Sequence, residues 1–273
     1  MPDRPNNPQE AKSQEPEAGS RTRAIVRAPS PALARCALTF LERTPIDFEL
    51  AVRQHGEYVR ALVEAGLAVQ ILPPEDELPD AVFVEDTAVV VEECAVLTRP
   101  GIDSRRPEVD AIAPALEAVR PTFRIEAPGT LEGGDVLRVG RTFFVGQTPR
   151  TNAEGTRQLA AVLEPHGYEV VPATPRGCLH LKSAVTCIGD GSVLVNPEWI
   201  DVDLFSRWQC VPVPPEEPFG ANALLAGGIV HVSASAPLTR RKLDALGFAT
   251  RSLDTSEFEK AEAALTCLSL IFS

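Results

Sequence analysis

The chain ends in Lys260-Ala-Glu-Ala-Ala-Leu-Thr-Cys-Leu-Ser-Leu-Ile-Phe272, a stretch that places Cys267 at the start of an apolar run. A thiol so near a chain end is held in place only if the segment after it, Leu268 to Phe272, is a strand paired inside a sheet. Near the other end, Thr22 to Arg27 is a strand candidate without a hairpin partner. We therefore predict that the two ends of the chain pair and close the fold.

A recurring unit runs through the rest of the chain: a polar or reactive residue, an apolar run, a short glycine or acidic turn, and a second apolar run. Five copies are present, the fifth without its second run. Their leading residues are separated by 49, 45, 42 and 45 positions, a period found in propellers and repeat arrays. These leading residues are Asp86, Asp135, His180, Asn222 and Cys267.

Helical patterns between the hairpins indicate that each unit is a hairpin, a helix and a further strand. Helices are predicted over 47–65, 108–119, 152–163, 239–246 and 256–264, and further strands over 68–72 and 168–171. We infer one closed domain, 22–273, in which the leading residues converge on a central site. Residues 1–21 form a tail rich in Pro, Glu, Gln and Asn, which we expect to be disordered.

The composition suits a soluble protein that acts on a small cation. A net charge of -12 disfavours contact with a phosphate backbone, so we expect no nucleic-acid partner. No stretch approaches the roughly 18 to 20 uninterrupted apolar residues of a membrane helix, so we expect no membrane role. The six cysteines show no C-x-x-C pair and no regular spacing, which indicates reduced thiols in a cytoplasmic protein.

The leading residues supply a thiol, an imidazole and carboxylates, which together indicate nucleophilic catalysis with acid and base assistance. In this interpretation Cys267 attacks the substrate and His180 moves protons. A single cysteine is more often a small buried hydrophobe, and a single histidine is more often structural. Their equivalent positions in the repeat favour the functional interpretation here.

An acidic cluster accompanies them and requires a cation, because carboxylates that share a site raise one another's pKa unless a positive charge neutralises them. A guanidinium fits, since carboxylates grip its planar fork and leave the central carbon open to attack. A metal site and turn-capping roles are the alternatives. With a single candidate imidazole the metal is the weaker alternative, so we expect neither metal nor cofactor. The acidic residues are Glu85, Asp86, Glu132 and Asp135.

Arg105 and Arg150 lie in loops after hairpins, where they could grip a substrate carboxylate. For each arginine taken alone, a solvated surface role is the default. The two side chains together suggest a substrate that carries a carboxylate as well as a guanidinium. We therefore expect the partner to be a small cationic amino acid.

Six stretches of the sequence form a recognisable set: Leu78-Pro-Asp-Ala-Val-Phe-Val-Glu-Asp86, Thr98-Arg-Pro-Gly-Ile-Asp-Ser-Arg-Arg-Pro-Glu-Val-Asp110, Leu131-Glu-Gly-Gly-Asp135, Phe143-Phe-Val-Gly146 with Arg150-Thr-Asn152, Leu179-His-Leu-Lys-Ser183, and Leu265-Thr-Cys-Leu-Ser269. They resemble the motifs of the dimethylarginine dimethylaminohydrolases. That family belongs to the guanidino-modifying superfamily, which includes arginine deiminases and amidinotransferases. The motifs follow one another in an order that suits the repeats.

The resemblance implies an α/β fold of the pentein type: a five-bladed pseudo-symmetric propeller of ββαβ units, closed by the N- and C-terminal strands. It also implies that Cys267 attacks the guanidinium carbon, and that His180 protonates the leaving amine and then activates water. Glu132, the third catalytic residue, would hold guanidinium nitrogens with Asp86. The other implied substrate contacts are Asp80, Arg105 and Arg150 at the amino-acid end, Glu85 and Asp135 in the acidic cluster, and the backbone carbonyl of Ala261.

The implied reaction hydrolyses Nω-methylated arginines, asymmetric dimethylarginine and monomethylarginine, to citrulline plus dimethylamine or methylamine through a thiouronium on the cysteine. An arginine deiminase or another amidine hydrolase would use the same core. A catalytically silent propeller that binds a ligand is the non-enzymatic alternative. The family's substrate lid falls at Ala28-Pro-Ser-Pro31, where the prolines predict a stiff loop. Monomer and homodimer both remain open.

Overall fold

Five three-stranded sheets make up the fold of this computed structural model, which describes residues 22–189 and 191–273. In each sheet the middle strand is antiparallel to one neighbour and parallel to the other. Over the described residues the strands are, in chain order, β1 Arg23–Arg27, β2 Ala68–Leu72, β3 Ala88–Val90, β4 Ala95–Leu97, β5 Thr122–Arg124, β6 Val136–Val139, β7 Thr142–Gly146, β8 Glu169–Ala173, β9 Val185–Gly189, β10 Ser192–Val195, β11 Gln209–Pro212, β12 Leu224–Ala226, β13 Ile229–Ser233, β14 Thr250–Leu253 and β15 Leu270–Phe272.

The strand order assigns one unit to each sheet. Four sheets use consecutive strands, β3 to β5, β6 to β8, β9 to β11 and β12 to β14, whereas the fifth has the order β15-β1-β2. Strand β1 is antiparallel to β15, with Arg23 opposite Phe272 and Ile25 opposite Leu270. The two ends of the chain therefore complete one unit together. The predicted five-unit pseudo-symmetric α/β fold, closed by its terminal strands, is confirmed.

The helices of the described residues are α1 Phe48–Glu64, α2 Arg106–Glu117, α3 Ala153–Leu163, α4 Leu181–Ala184, α5 Pro237–Ala245 and α6 Ser256–Glu259. Side-chain caps start two of them: Asp47 accepts from the Leu50 N–H, and Asn152 accepts from the Gly155 N–H. Four predicted helices agree closely with α1, α2, α3 and α5. The prediction over 256–264 is wrong beyond Glu259, because Glu262 has a φ of 59°, a left-handed conformation in which a helix cannot continue.

A short helical turn precedes the first strand of every unit and carries or adjoins its leading residue. Four are 3-10 turns, Val84–Thr87, Gly133–Asp135, Pro218–Ala221 and Leu265–Leu268, and the remaining one is α4. The last 3-10 turn includes Leu268, the first residue of the strand predicted over 268–272, and Ser269 caps this turn, so β15 begins only at Leu270. Turns of different units contact one another, which gathers their side chains at the centre of the molecule.

Strand β15 is held by packing as well as by pairing. Leu270 and Phe272 are each 6% exposed and belong to one hydrophobic cluster with Val84, Leu97 and Ile112 of the neighbouring unit. Burial of two large apolar side chains contributes several kcal/mol, on the order of 2 kcal/mol each. The turn that carries the cysteine is therefore fixed from its C-terminal side.

The predicted tail over 1–21 lies outside the described residues, and the extent of the domain over 22–273 stays a prediction. Within the part of the chain that the structure describes, no helix is long and apolar enough to cross a membrane.

Candidate active site

Two consecutive glycines allow a histidine and a carboxylate to approach the same backbone. A Cβ on Gly134 would lie 2.6 Å from Nδ1 of His180 and 2.8 Å from Oδ1 of Asp86. A Cβ on Gly133 would collide with the backbone carbonyl oxygen of Glu85. The Gly134 N–H instead donates to Oδ1 of Asp86 at 2.8 Å. The Glu-Gly-Gly-Asp sequence is thus a packing requirement of the site, since any side chain here would displace its functional groups.

Cys267 lies on the 3-10 turn Leu265–Leu268 and is half-buried. The Ala264 N–H contacts its Sγ at 3.5 Å. Burial raises the pKa of the Cys267 thiol to about 12, and the negative charges of Glu85 and Asp86 add to this effect. The resting side chain is therefore a protonated thiol, and it becomes a nucleophile only when a positive charge is brought beside it.

His180 is paired with a buried carboxylate: its Nε2 lies 2.7 Å from Oε2 of Glu132. Burial by itself lowers the pKa of His180, but the charges of Asp86 and Asp135 and the hydrogen bond to Glu132 outweigh burial and raise it to about 9. Burial alone would raise the pKa values of Glu132 and Asp86. The neighbouring His180 outweighs burial and holds both pKa values below their ordinary range, and at Asp86 the guanidinium of Arg105 adds to this effect. At neutral pH the site holds an imidazolium between two carboxylates.

Two arginines of the chain face the same two carboxylates. Nη1 of Arg105 donates to Oδ2 of Asp86 at 2.6 Å, and Nη1 of Arg150 lies 3.3 Å from both carboxylate oxygens of Glu132. Arg105 is also gripped by Glu108, whose Oε2 accepts from Nε at 3.1 Å and from Nη2 at 2.8 Å. Arg105 is therefore rigidly placed, whereas Arg150 makes longer contacts and is the freer of the two guanidinium groups.

A loop over residues 37–41, here called the cover loop, is tied to the rim of the site. The Ala37 N–H lies 3.1 Å from both carboxylate oxygens of Asp80. Nη2 of Arg150 donates to the Thr39 hydroxyl at 3.0 Å. Two of the three side chains expected to bind the amino-acid end of a substrate, Asp80 and Arg150, therefore now hold the cover loop.

Glu262 fastens the cover loop from the opposite side. Its carboxylate accepts from the Thr39 N–H at 2.9 Å and from the Leu41 N–H at 2.5 Å, and also from the Phe40 N–H. Within the described residues it is the only residue other than glycine with a positive φ, a conformation that costs about 1 kcal/mol. Three charge-assisted hydrogen bonds offset this strain. Glu262 directly follows Ala261, a predicted contact residue.

The cleft beneath the cover loop has a free volume of about 20 Å³, room for about one water molecule. A ligand the size of arginine therefore enters only if the cover loop moves. Seven predicted site residues line this cleft: Asp80, Asp86, Arg105, Arg150, His180, Ala261 and Cys267.

Glu132 and Asp135 lie behind the cleft instead of lining it. Glu132 is completely buried and reaches the cleft through His180. Asp135 is also completely buried, accepting from the Leu181 N–H at 3.0 Å and from the Thr148 hydroxyl at 2.7 Å. It therefore holds the backbone next to His180, and the structure does not bring its carboxylate to the place where a substrate would lie.

Glu85 faces away from the cleft. Its carboxylate accepts from Nζ of Lys182 at 2.5 Å and from the Thr266 hydroxyl at 2.8 Å. It borders a separate cavity of about 370 Å³ on the other side of the turns. Glu85 is thus placed next to Asp86 in sequence but on the opposite side of the 3-10 turn, where it supports the residue that precedes Cys267.

The stretch 28–31, expected to be the lid, lies away from the cleft and lines none of it in the described structure. The Ala28 N–H donates to the Leu72 carbonyl at 3.0 Å, and the Ser30 hydroxyl donates to Asp76 at 2.7 Å. These two hydrogen bonds anchor the segment, in which the prolines predicted a stiff loop. The segment that closes the site is the cover loop, which follows it in the chain.

Asp86, Glu132 and His180 are close enough together to bind a metal ion, with one donor atom from each within 4.8 Å of the others. Their lone pairs are already directed elsewhere, because Asp86 accepts from Arg105 and Glu132 accepts from Arg150. A dication placed here would also face two guanidinium groups. Two of the three donors are therefore already neutralised by guanidinium groups of the chain itself.

Sequence reasoning did not single out several partners of these residues. Lys182, Thr266 and Glu108 lie inside the recognised motif stretches, within three positions of a predicted residue, so a charge or hydroxyl near that residue was the available signal. Glu262 had no such signal, because its role depends on a left-handed backbone and on a cover loop more than 200 positions away in sequence.

Comparisons with known proteins show which family the chain resembles. A family model described as N,N dimethylarginine dimethylhydrolase, eukaryotic, matches residues 41–209. A Streptomyces coelicolor N(G),N(G)-dimethylarginine dimethylaminohydrolase is 44% identical over 91% of this chain and 96% of its own length.

Two solved structures are similar in fold, each with a TM-score of 0.88 at 36% identity over 92% of this chain. One is a Pseudomonas aeruginosa dimethylarginine dimethylaminohydrolase, a cysteine-to-serine mutant complexed with citrulline, covered over 98% of its length. The other is a histidine-to-glycine dimethylarginine dimethylaminohydrolase in an adduct with S-methyl-L-thiocitrulline, covered over 99%.

Proposed function

The chain belongs to the dimethylarginine dimethylaminohydrolase family, and from that premise we propose that Cys267, His180 and Glu132 hydrolyse Nω-methylated arginines to citrulline and an alkylamine. The observation that carries the proposal is the shared cleft, in which the thiol of Cys267 and the imidazole of His180 lie with the carboxylate of Asp86. Two related structures support this assignment: a cysteine-to-serine mutant complexed with citrulline, and a histidine-to-glycine variant in an adduct with S-methyl-L-thiocitrulline.

Charge favours a cationic amino acid in the cleft. The carboxylates of Asp80 and Asp86 line it, while Arg105 and Arg150 supply the positive charge that a substrate carboxylate needs. A guanidinium beside Asp86 would gain a charge-assisted hydrogen bond, while the substrate carboxylate would compete with Glu132 for Arg150, whose present contacts with Glu132 are 3.3 Å long. The substrate would thus satisfy both ends of the cleft by exchanging with hydrogen bonds already present.

The bound guanidinium also activates the nucleophile. Burial and two carboxylates keep the Cys267 thiol protonated in the resting protein. A positive charge placed next to the sulfur favours the thiolate, so the thiol loses its proton to solvent when the substrate binds. Activation that depends on substrate limits side reactions of the free enzyme.

The first half of the reaction forms a bond between Sγ of Cys267 and the guanidinium carbon and gives a tetrahedral adduct. The His180 imidazolium then donates its proton to the methylated nitrogen, the C–N bond breaks, and dimethylamine or methylamine leaves. The product is a thiouronium on Cys267. Glu132 stabilises the imidazolium before the transfer and orients the ring throughout.

In the second half, neutral His180 removes a proton from water, and the resulting hydroxide attacks the thiouronium carbon. The C–S bond breaks with its electron pair going to sulfur, the hydroxyl proton of the adduct passes to that thiolate, and citrulline leaves with Cys267 again a thiol. The imidazolium was restored when water gave up its proton, and the proton that the thiol lost to solvent on substrate binding is matched by the one that the released amine takes up. The high pKa of His180 suits the first half, in which it acts as an acid.

The amine that leaves identifies the substrate. Incubation with asymmetric dimethylarginine, monomethylarginine and arginine, followed by mass spectrometry, is expected to give citrulline with dimethylamine or methylamine. We expect kcat/KM for the methylated substrates to exceed that for arginine by at least about tenfold, the discrimination that one or two methyl groups provide in an apolar contact. Ammonia from arginine as the main product would instead make the protein an arginine deiminase. If no citrulline forms from any of the three substrates, only the alternative of a ligand-binding propeller without catalytic activity remains.

We further propose that the enzyme works in the cytoplasm as a monomer or a homodimer. The cysteine spacing, without a C-x-x-C pair, supports a reducing compartment.

A further inference from the structure

Asn222, the leading residue of the fourth unit, takes no part in the reaction described above, yet its side chain joins the two turns that carry the chemistry. Its Nδ2 donates to the Lys182 carbonyl at 3.1 Å and to the Thr266 hydroxyl at 3.0 Å. Its Oδ1 accepts from the Thr266 N–H at 3.2 Å. Thr266 immediately precedes Cys267, and Lys182 lies two residues after His180.

The orientation of this amide is fixed by its partners. A carbonyl oxygen only accepts, so the nitrogen of Asn222 must face Lys182, and the Thr266 N–H only donates, so the oxygen must face Thr266. The side chain is 6% exposed, and both of its N–H donors have partners. An aspartate would lose both donations, and an aliphatic residue would lose all three hydrogen bonds.

The same two turns meet a second time through Glu85, which accepts from the Lys182 ammonium and from the Thr266 hydroxyl. Glu85 binds only side chains, the ammonium of Lys182 and the hydroxyl of Thr266, whereas Asn222 also binds the backbone of both turns. Backbone contacts define where the turns lie. Asn222 therefore sets the relative position of the two turns more directly than the ion pair does.

We propose that Asn222 is a positioning residue that holds the turn of Cys267 at a fixed separation from the turn of His180. The inference rests on the proposed function, because that function assigns the side chains of Cys267 and His180 to successive steps at one carbon atom of the substrate. Asn222 carries no charge, so its removal leaves the charges around Cys267 unchanged. It acts on geometry, where a displacement of about 1 Å can lower a rate by about 10²-fold.

The test is the steady-state kinetics of Asn222→Ala with asymmetric dimethylarginine. We expect kcat to fall by about 10²-fold while KM stays within about threefold of wild type, since the groups that bind substrate are untouched. Alkylation of Cys267 by iodoacetamide is slow because the resting thiol is protonated, but it needs no alignment with His180, so its rate constant is expected to be the same in Asn222→Ala as in wild type. Asn222→Asp keeps the acceptor for the Thr266 N–H and the size of the side chain, but its carboxylate faces the Lys182 carbonyl and adds a negative charge near Cys267, so we expect kcat to fall here as well.

Thr186→Val is the matched control. The Thr186 hydroxyl donates to the Ala221 carbonyl at 2.7 Å and accepts from the Ala223 N–H at 3.2 Å, so it secures the residues on both sides of Asn222. It is 2% exposed and contacts neither catalytic turn through its hydroxyl. Its loss is expected to lower the melting temperature as Asn222→Ala does, with kcat unchanged.

The outcomes separate this inference from the proposed function. If wild type releases citrulline and loses activity on alkylation of Cys267, but Asn222→Ala keeps its kcat, only the role of Asn222 is overturned. An equal loss of kcat in Thr186→Val would also overturn it, since the effect would be that of a loosened fold. Should Asn222→Ala not fold, a wild-type kcat in Asn222→Asp would reject the inference. Failure of wild type to turn over would reject the proposed function itself.

Discussion

The Cys267→Ser protein is expected to lose at least about 10⁴-fold in kcat for asymmetric dimethylarginine, because a serine hydroxyl is a far weaker nucleophile and leaving group than a thiolate. The substituted atom is small, and the turn is held by β15 and by Asn222, so the fold should be unaffected. Citrulline formation by purified variant and wild type, with melting temperatures as the check on folding, measures the effect.

Cys210→Ser is the control for that substitution. Cys210 is half-buried on β11, where burial raises the pKa of its thiol, and it does not line the cleft. Its replacement should leave kcat within about twofold of wild type. Turnover by Cys267→Ser at the wild-type rate would show that Cys267 is not the nucleophile.

Replacement of His180 by alanine is the other large effect, an expected fall in kcat of about 10³-fold, within the range that a positioned acid and base contributes. The raised pKa of His180 sets the direction in which activity changes with pH. The carboxylates around His180 raise its pKa to about 9, so the acid form is present below pH 9 and is lost as pH rises through that value. Since the imidazolium protonates the leaving amine, wild-type activity should fall above about pH 9.

The alkaline fall should be absent from the residual activity of His180→Ala. His166→Ala, which alters an exposed histidine at the end of a 3-10 turn, should retain both the rate and the profile of wild type. A variant at His180 with wild-type kcat, or one that keeps the alkaline fall, would assign the proton transfers to another group.

The fold was largely predictable because each unit repeats its own hydrophobic pattern. Hairpins and helices follow local periodicity, and the unpaired strand candidates at the two ends pointed to β1 pairing with β15. The local pattern misled at two places, and at each of them one local backbone conformation was responsible. The helix expected through residue 264 stops at Glu259 because of the left-handed Glu262, and β15 starts late because Leu265–Leu268 forms a turn.

The residue types of the site were predictable from the sequence, but the directions in which their side chains point were not. Motif spacing identified Glu85 and Asp86 together, yet neighbouring residues on a 3-10 turn point to different sides, so only Asp86 reaches the cleft. Asp135 was expected to touch the substrate, but burial and its contacts with the backbone place it behind His180. Long-range contacts, such as those of Glu262 with the cover loop, leave no periodic signal in a sequence.

The central claim is that Cys267 forms a covalent bond to the guanidinium carbon, and rapid acid quenching tests it most directly. Wild type and His180→Ala are mixed with asymmetric dimethylarginine, quenched during turnover, digested and weighed by mass spectrometry. We predict that the peptide containing Cys267 gains the mass of the substrate less dimethylamine in wild type, and that any adduct in His180→Ala, where both proton transfers are slowed, lies on the same peptide. Turnover without any adduct on Cys267 in either protein, or an adduct on another cysteine, would contradict the account.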